Sequence, residues 1–253
     1  MKSFLSFFLI LSFIQLAFAD CAGNGLWVFP KSKNILQNTR FVLNAYANSQ
    51  FIISELNKQH PVYLKSSNQI IKLNVLEICE GQFYLTQAVL VPESNLTAGV
   101  EYTFCIEGIG DYESLTRYNP ENKKYEPLTY LVSEGVDTQS PVLNSKPKEL
   151  KKEYIHYGCG PSVHVIFNNP AIDSSEMIIQ TTVTNLETHE VIKYYLEPQE
   201  NELAVGHGMC SGAFQFKEGT KYEIGFVFMD CAGNQTPWTG PNLVFTKPKD
   251  TGF

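Results

Sequence analysis

The sequence predicts an all-β protein built from two tandem antiparallel β-sandwiches. Most of the chain consists of short runs in which apolar and polar residues alternate, separated by Gly, Pro, Asn and Ser. This alternation is the period of a half-buried strand. Only residues 49–58 suggest a helix, and that helix is short. In addition, one motif occurs in each half of the chain, at Leu96–Phe104 and at Phe216–Ile224.

The repeated motif predicts a tyrosine corner in each half. Both copies place Gly three residues after a large apolar residue and Tyr three residues after the Gly, as Gly99 with Tyr102 and Gly219 with Tyr222. Glycine allows a backbone turn that is costly for other residues, and the Tyr ring can be buried while its hydroxyl bonds the backbone across the corner. Such a corner precedes a central strand of a sandwich, so two corners predict two sandwiches.

Residues 1–19 have the features of a cleaved signal peptide. Lys2 gives a basic start, residues 4–18 are almost entirely apolar, and Ala17-Phe18-Ala19 is a small-residue cleavage signal. A membrane anchor is the alternative, but the apolar run is short for a span of about 20 residues. A bacterial lipoprotein signal would need a small residue where Asp20 stands. We therefore expect no membrane span after signal cleavage.

The predicted signal peptide places the rest of the chain outside the cytoplasm. We expect a secreted protein, or a periplasmic or cell-surface protein if the source is bacterial. All six cysteines follow the signal peptide, in a compartment where disulfides persist. Asn95 and Asn234 each begin an Asn-x-Thr sequence, which would be a glycosylation site in a eukaryotic secretory pathway.

Charge and composition exclude a nucleic-acid function. The chain of 253 residues has a formal net charge of −7, and its only guanidinium groups are those of Arg40 and Arg117. No basic run is interleaved with aromatic residues, so the electrostatic attraction that nucleic acids need is missing. An anionic membrane surface is disfavoured for the same reason.

The first predicted sandwich spans residues 20–135. Its strands end at turn residues such as Pro30 and at Gly- or Ser-containing turns. The predicted strands are Leu26–Phe29, Phe41–Ala45, Pro61–Lys65, Ile70–Ile78, Gln82–Val91, Tyr102–Ile106 and Leu128–Ser133.

Residues 109–127 form the longest irregular stretch of the sequence and contain the candidate ligand-binding residues. Loops of this length are unusual unless they function or are disordered. Tyrosine rings offer large contact area at low entropy cost, and a guanidinium can pair with a carboxylate or stack on an aromatic ring. The alternative is that the rings cover the open end of the sandwich. The candidates are Tyr112, Arg117, Tyr118 and Tyr125.

The second predicted sandwich spans residues 136–247 and is followed by a short polar tail, 248–253. The tail lacks the hydrophobic segment that a glycolipid anchor would need. The predicted strands, together with the segment that leads to the second corner, are Val163–Phe167, Glu176–Thr184, Glu190–Leu196, Glu202–Phe216, Tyr222–Phe228 and Leu243–Phe245.

Four motifs resemble known sandwich families. The corner motif resembles the fibronectin type III signature before the sixth strand. Gly135–Pro141 is similar to the start of bacterial immunoglobulin-like repeats, and Asp230–Asn234 to the hairpin that closes them. Thr236–Pro241 resembles the Trp-Ser turn before the last fibronectin type III strand. The resemblance covers about residues 138–247 well and 20–133 through the corner alone. It implies a binding or adhesion module of a secreted protein.

Two groups of residues suggest metals. The segment Gly206–Cys210 contains His207, Met209 and Cys210, a soft ligand set that suits copper. The alternative interpretation is a glycine-flanked turn whose cysteine forms a disulfide. Asp137 and Asp173 could join a calcium site at the junction between the sandwiches, although no repeated acidic pattern supports it. We therefore expect no metal and no cofactor.

Six cysteines allow 15 pairings, which sequence alone does not resolve. If Cys159 opens one strand and Cys210 ends a neighbouring one, a Cys159–Cys210 disulfide is favoured. Cys79–Cys105 is the second predicted pair. The two remaining cysteines, Cys21 and Cys231, have no predicted partner.

The sequence contains none of the common catalytic motifs that we looked for. Nucleophile elbows, helical zinc motifs and phosphate-binding glycine loops are absent. Acidic pairs such as Asp111 with Glu113 lie in predicted turns, where solvation argues against a glycosidase pair. The sequence thus predicts a binding or adhesion module without catalytic activity, whose partner is a protein or a carbohydrate at the cell surface or in the extracellular space. An exported copper-handling accessory protein is the alternative, and a hydrolase is the third.

Overall fold

A computed structural model describes Cys21, residues 23–113, residues 115–250 and Gly252. The predicted signal peptide lies outside the described residues, as does the predicted cleavage position. Across the part that is described, no helix is long and apolar enough to cross a bilayer.

The regular secondary structure of the described chain is almost entirely β-strand, which confirms the predicted all-β class. The described residues of the first half contain one short α-helix and ten strands: β1 (Asn24–Phe29), β2 (Asn34–Ile35), β3 (Phe41–Ala47), α1 (Gln50–Ser54), β4 (Val62–Lys65), β5 (Ile70–Glu80), β6 (Leu85–Pro92), β7 (Glu101–Ile106), β8 (Thr116–Asn119), β9 (Lys124–Pro127) and β10 (Thr129–Val132). The second half contains β11 (Val142–Leu143), β12 (Glu149–Tyr157), β13 (Gly160–Asn168), β14 (Ala171–Ile172), β15 (Met177–Asn185), β16 (Val191–Leu196), β17 (Glu202–His207), β18 (Lys221–Asp230), β19 (Gln235–Pro237) and β20 (Leu243–Thr246).

The first half is one sheet that folds over its own core. Its strand order is β1-β3-β6-β5-β4-β7-β10-β2. The long strand β5 pairs with β4 near its start and with β6 over the rest of its length, so it belongs to both wings of the sheet. Phe41 on β3 meets Phe104 on β7 and Tyr130 on β10, with ring centroids 5.6 and 5.1 Å apart. The two wings therefore face each other across a shared apolar core.

The second half is a sandwich of two main sheets. One sheet has the order β12-β13-β17, and the other has the order β16-β15-β18-β19, with β20 also paired to β18. Phe167 on β13 contacts Phe226 on β18 and Phe245 on β20, with ring centroids 5.6 and 5.9 Å apart. These aromatic contacts join the two sheets into one core.

Tyr102 and Tyr222 occupy equivalent positions in the two halves. Both rings are buried. The Tyr102 hydroxyl accepts a hydrogen bond from the backbone N–H of Thr97 (3.2 Å), and the Tyr222 hydroxyl accepts one from that of Lys217 (2.8 Å). The glycine before each Tyr has a left-handed φ, +75° at Gly99 and +78° at Gly219, which few other residues adopt without strain.

The two halves pack side by side, with the β1-β3-β6-β5 wing between them. Strands β3 and β6 are buried on both faces for most of their length. Leu43 and Leu90 face the first core, whereas Val42 and Val89 belong to the apolar cluster of the second half. Because both faces are buried, these strands lack the usual alternation between buried and exposed residues.

A buried polar network crosses this contact. The Gln87 side chain accepts a hydrogen bond from the backbone N–H of Tyr195 (2.6 Å) and donates one to the backbone carbonyl of the same residue (3.1 Å). Gln87 also donates to Asn44 Oδ1 (2.9 Å), which in turn accepts from the Tyr194 hydroxyl (3.2 Å). The network fixes β16 against the first half.

Backbone contacts tie the halves together at two further places. The backbone N–H groups of Lys31 and Ser32 both donate to the Glu176 carboxylate, at 3.0 and 2.6 Å. Phe83 and Gly212 exchange backbone hydrogen bonds of 3.1 and 2.8 Å. The chain is therefore not a linear pair of separate units.

The side-by-side packing overturns the predicted cysteine pairs. Cys210 is bonded to Cys21, with a Cα–Cα distance of 5.8 Å, and not to Cys159. Cys79 and Cys105 are both free thiols. Cys105 alternates with the core residues of β7 and points away from the first core, while Cys79 faces the second half. The Cys21 partner was not found from sequence because a linear arrangement would keep it far from Cys210.

Candidate functional site

The irregular stretch predicted at residues 109–127 contains a β-hairpin. Strands β8 and β9 pair antiparallel, with Arg117 opposite Glu126 and Tyr118 opposite Tyr125. The prediction of an irregular loop is therefore wrong for this part. The segment is short and its turn, residues 120–123, is polar, so the alternation that signals a strand is weak.

A carboxylate on β9 orders the turn of the hairpin. Glu126 accepts hydrogen bonds from the side-chain amides of Asn122 (2.6 Å) and Asn119 (3.2 Å). These bonds favour the ionised form and lower the pKa of Glu126 below its usual value. The Asn119 and Asn122 side chains also accept from the backbone N–H groups of Glu121 and Lys124, both at 3.0 Å. The turn is held by its own side chains.

Two of the predicted ligand-binding tyrosines form an exposed pair on this hairpin. The rings of Tyr118 and Tyr125 are cross-strand neighbours with centroids 5.4 Å apart and an interplanar angle of 59°. Their exposed fractions are 49% and 72%. The side chain of Tyr112, a third predicted binding residue, lies outside what the structure describes.

Arg117 anchors the hairpin to the sandwich. Its guanidinium donates a hydrogen bond to the backbone carbonyl of Thr129 (3.1 Å) and lies over the ring of Tyr130, 5.2 Å from the centroid. This combination of a hydrogen bond and a cation–π contact fixes the orientation of β8 relative to β10. Arg117 thus has a structural role in addition to the ligand contact that was predicted for it.

A buried carboxylate holds the start of the loop. Glu113, in the 3₁₀ turn Asp111–Glu113, accepts hydrogen bonds from Ser49 Oγ (3.1 Å) and Asn24 Nδ2 (3.2 Å). Its second oxygen accepts from the backbone N–H of Gly110 (3.0 Å). The sequence predicted a solvated carboxylate here, but Glu113 is buried between β1 and the residue before α1.

Two grooves flank the hairpin. The first, which we call the β1–β8 groove, has a volume of about 360 Å³ and is lined by Leu26, Trp27, Val28, Lys31, Leu115, Thr116, Arg117, Tyr118 and Leu128. The second, the β8–β10 groove, has a volume of about 320 Å³ and is lined by Lys33, Arg117, Tyr118, Asn119, Pro120, Glu121, Glu126, Pro127 and Thr129. Tyr118 and Arg117 line both grooves, so any ligand in either one would meet them.

Three carboxylates converge at the junction between the halves. Oxygens of Asp137, Asp173 and Asp230 lie within 4.8 Å of one another. Asp137 and Asp173 are the pair that the sequence suggested, and Asp230 joins them because the hairpin after β18 turns back to the junction. Burial raises the pKa of Asp230, while hydrogen bonds from Asn234 oppose this rise. Such oxygen ligands are of the type that calcium prefers.

Three sulfur atoms converge near the end of β17. The Sγ atoms of Cys21, Cys159 and Cys210 lie within 4.8 Å of one another. The copper ligand set suggested by sequence is wrong in one member, because Cys210 is oxidised in the disulfide and offers no thiolate. His207 Nδ1 lies 2.8 Å from the backbone carbonyl of Gly208. Met209 is exposed.

Comparisons with known proteins assign no family to this chain, since no protein-family model and no curated protein matches it. Among solved structures, it is similar to type I pullulanase from Bacillus subtilis str. 168 complexed with maltose, at 10% identity and a TM-score of 0.24, over 92% of this chain and 28% of that chain. It is also similar to pullulanase from Anoxybacillus sp. LM18-11 complexed with maltotriose, at 6% identity and a TM-score of 0.24, over 80% of this chain and 24% of that chain. The chain therefore spans less than a third of the length of these pullulanases.

Proposed function

We propose that this protein is an extracellular binding module without catalytic activity, and that it contacts a protein or carbohydrate ligand through the hairpin β8–β9. The observation that carries the proposal is the exposed pair Tyr118 and Tyr125 on a hairpin whose base and tip are both fixed. Aromatic side chains on a rigid frame give large contact area with little loss of conformational entropy.

The exposure of the tyrosines favours recognition over the alternative role of a cover. A ring that covers the end of a sandwich loses most of its accessible surface. Instead, Tyr118 is 49% and Tyr125 is 72% exposed. Arg117 holds the hairpin to β10, and Glu113 holds the turn before the hairpin to Ser49. Neither contact uses the tyrosine rings, which stay available to a ligand.

The strand order supports the finer proposal of immunoglobulin-like and fibronectin-like halves. In the first half, β1 pairs with β3 while β2 crosses to pair in parallel with β10. In the second half, β12-β13-β17 faces β16-β15-β18 with β20. In this arrangement the hairpin lies between β7 and β10, where immunoglobulin variable domains place one of their ligand-binding loops. The location of the module outside the cell is supported by the Cys21–Cys210 disulfide.

The proposal is tested with a double variant, Tyr118→Ala with Tyr125→Ala. The wild-type protein is screened against immobilised glycans and extracellular-matrix proteins, and affinity is then measured for each ligand found. We expect the double variant to bind at least about tenfold more weakly, because it loses the contacts of two aromatic rings with the ligand. A tenfold change corresponds to about 1.4 kcal/mol of binding free energy. Its melting temperature should stay within error of the wild type, since both rings are exposed.

Tyr157→Ala is the matched control. Tyr157 is 53% exposed on β12, in the other half of the molecule, so its loss should leave both binding and melting temperature unchanged. Wild-type affinity in the double variant would refute the hairpin as the contact surface. A lower melting temperature with unchanged binding would show that the tyrosines act as a cover.

A further inference from the structure

The three converging cysteines form a cluster with an odd number of sulfur atoms. Cys21 and Cys210 are bonded, and the free thiol of Cys159 lies with its Sγ within 4.8 Å of both. All three side chains are partly exposed, so water and small reagents reach the cluster. Whichever two of these sulfurs are bonded, the third remains next to the disulfide.

The fold holds Cys159 and Cys210 at the same end of one sheet. Strand β13 pairs with β12 on one side and with β17 on the other. Cys159 lies in the turn between β12 and β13, and Cys210 lies in the loop after β17. The two connections lie close together. The position that a Cβ would take on Gly160, the residue after Cys159, is 3.5 Å from the backbone oxygen of Met209, the residue before Cys210. Sheet pairing thus brings Cys159 and Cys210 to neighbouring positions.

We propose that Cys159 exchanges with the Cys21–Cys210 disulfide. The Cys159 thiol loses its proton to water, and the thiolate attacks Cys210 Sγ. The Cys159–Cys210 bond forms as the Cys21–Cys210 bond breaks, and the Cys21 sulfur leaves as a thiolate that takes up a proton. One disulfide and one thiol are present before and after the step, so neither an oxidant nor a reductant is required.

The exchange changes what the disulfide connects. The Cys21–Cys210 bond joins the segment before β1 to the second half and closes a loop with a sequence separation of 189 residues. The Cys159–Cys210 bond lies within the second half and joins two connections that already touch. Exchange therefore releases Cys21 from the second half and leaves Cys21 as the thiol. This thiol becomes a site for covalent attachment by disulfide-bearing molecules.

Peptide mapping of the full chain tests the exchange. Wild-type protein is incubated at pH 8.5 without reductant, quenched with acid, alkylated with N-ethylmaleimide and digested without reduction. We expect two linkages, Cys21–Cys210 with alkylated Cys159 and Cys159–Cys210 with alkylated Cys21. The minor linkage should reach at least about 1%, as for a state a few kcal/mol above the major one. Incubation at pH 6 should slow the approach to this mixture, because the thiolate is the nucleophile.

Two variants complete the test. After oxidation with excess oxidised glutathione, which takes up the two electrons as two glutathione thiols, Cys21→Ser should contain the Cys159–Cys210 disulfide. Cys159→Ser treated in the same way should give Cys21–Cys210 alone. Cys105→Ser, which removes a thiol outside the cluster, should leave the wild-type mixture unchanged. The proposal is overturned if wild-type protein at pH 8.5 contains less than about 1% of the Cys159–Cys210 linkage. It is equally overturned if folded Cys21→Ser protein, after the same oxidation with oxidised glutathione, keeps both Cys159 and Cys210 as alkylatable thiols.

Discussion

At the scale of single residues, Gln87 joins the two halves through buried hydrogen bonds. Its side-chain amide bonds both backbone groups of Tyr195, as a neighbouring strand would. Strand β16 is at the edge of its sheet, with β15 on one side only. On the side of β16 that has no neighbouring strand, Gln87 of the first half therefore bonds the backbone of Tyr195 in place of a strand. An exposed edge strand can pair with a strand of another chain, and the contact with Gln87 covers part of the β16 edge.

Replacing Gln87 should destabilise the protein strongly. In Gln87→Leu, the backbone N–H and carbonyl of Tyr195 remain buried and lose these partners, and each such group costs about 1–3 kcal/mol. We expect a decrease of about 2–4 kcal/mol in the free energy of unfolding, measured by urea denaturation. The control Gln139→Leu changes an exposed glutamine and should have little effect. A Gln87→Leu protein as stable as this control would contradict the assigned role.

Cys79 should make stability depend on alkaline pH. Burial raises the pKa of its thiol from an ordinary value of 9.0 to about 11, and the nearby Glu77 carboxylate adds to this rise. Between these two values the unfolded thiol loses its proton while the folded thiol keeps it. The free energy of unfolding must therefore fall as the pH rises through this window.

The variant Cys79→Ala isolates this effect. It should be less stable than the wild type at pH 7 because a buried side chain is lost. The difference between the two proteins should narrow as the pH rises from 9.0 to about 11, since only the wild type has this thiol to titrate. Urea denaturation at several pH values measures the difference, and a constant difference would contradict the burial of a protonated Cys79.

At the scale of elements, the sequence predicts strands well where one face is buried. Strand β7 alternates between core residues such as Tyr102 and partly exposed ones such as Thr103. This two-residue period is visible in the sequence and predicted the strand. Strand β12 was missed because it is an exposed edge strand whose first residues, Glu149–Glu153, are mostly charged. The two-residue strand β2 is too short to show any period.

The candidate site was predictable in part for similar reasons. Exposed tyrosines in a Gly- and Asn-containing segment are visible in sequence, and Tyr118 and Tyr125 were selected on that basis. Glu113 was not, because its role depends on Ser49 and Asn24, which are distant in sequence. Convergence of Asp230 with Asp137 and Asp173 likewise depends on how the halves are placed.

The two tyrosine corners give a prediction at this scale. In Tyr102→Phe and Tyr222→Phe, the backbone N–H of Thr97 or Lys217 loses the hydroxyl that accepts its hydrogen bond. We expect each variant to lose about 1–3 kcal/mol of stability, since only one oxygen is removed and the ring packing is kept. Thermal or urea unfolding measures this loss. Wild-type stability in both variants would refute the corners.

At the scale of the whole molecule, the failed disulfide prediction has a single cause. Pairing Cys159 with Cys210 assumed two units in a row, in which Cys21 lies far from the second half. The structure instead packs Val42 and Val89 of the first half into the apolar cluster of the second. No local sequence pattern predicts this contact. The residues of a strand that is buried on both faces do not show which part of the chain covers the second face.

The two tryptophans of the chain provide the most direct test of this packing. Trp27 lies on β1 in the first half, and Trp238 lies after β19 in the second half. Trp27→Phe and Trp238→Phe each leave one fluorescent reporter, and urea unfolding is followed in both proteins. If the halves form one cooperative unit, each reporter shows a single transition with the same slope. Adding Gln87→Leu should then shift both transitions together. Two transitions at different urea concentrations, with only one of them moved by Gln87→Leu, would contradict the shared packing.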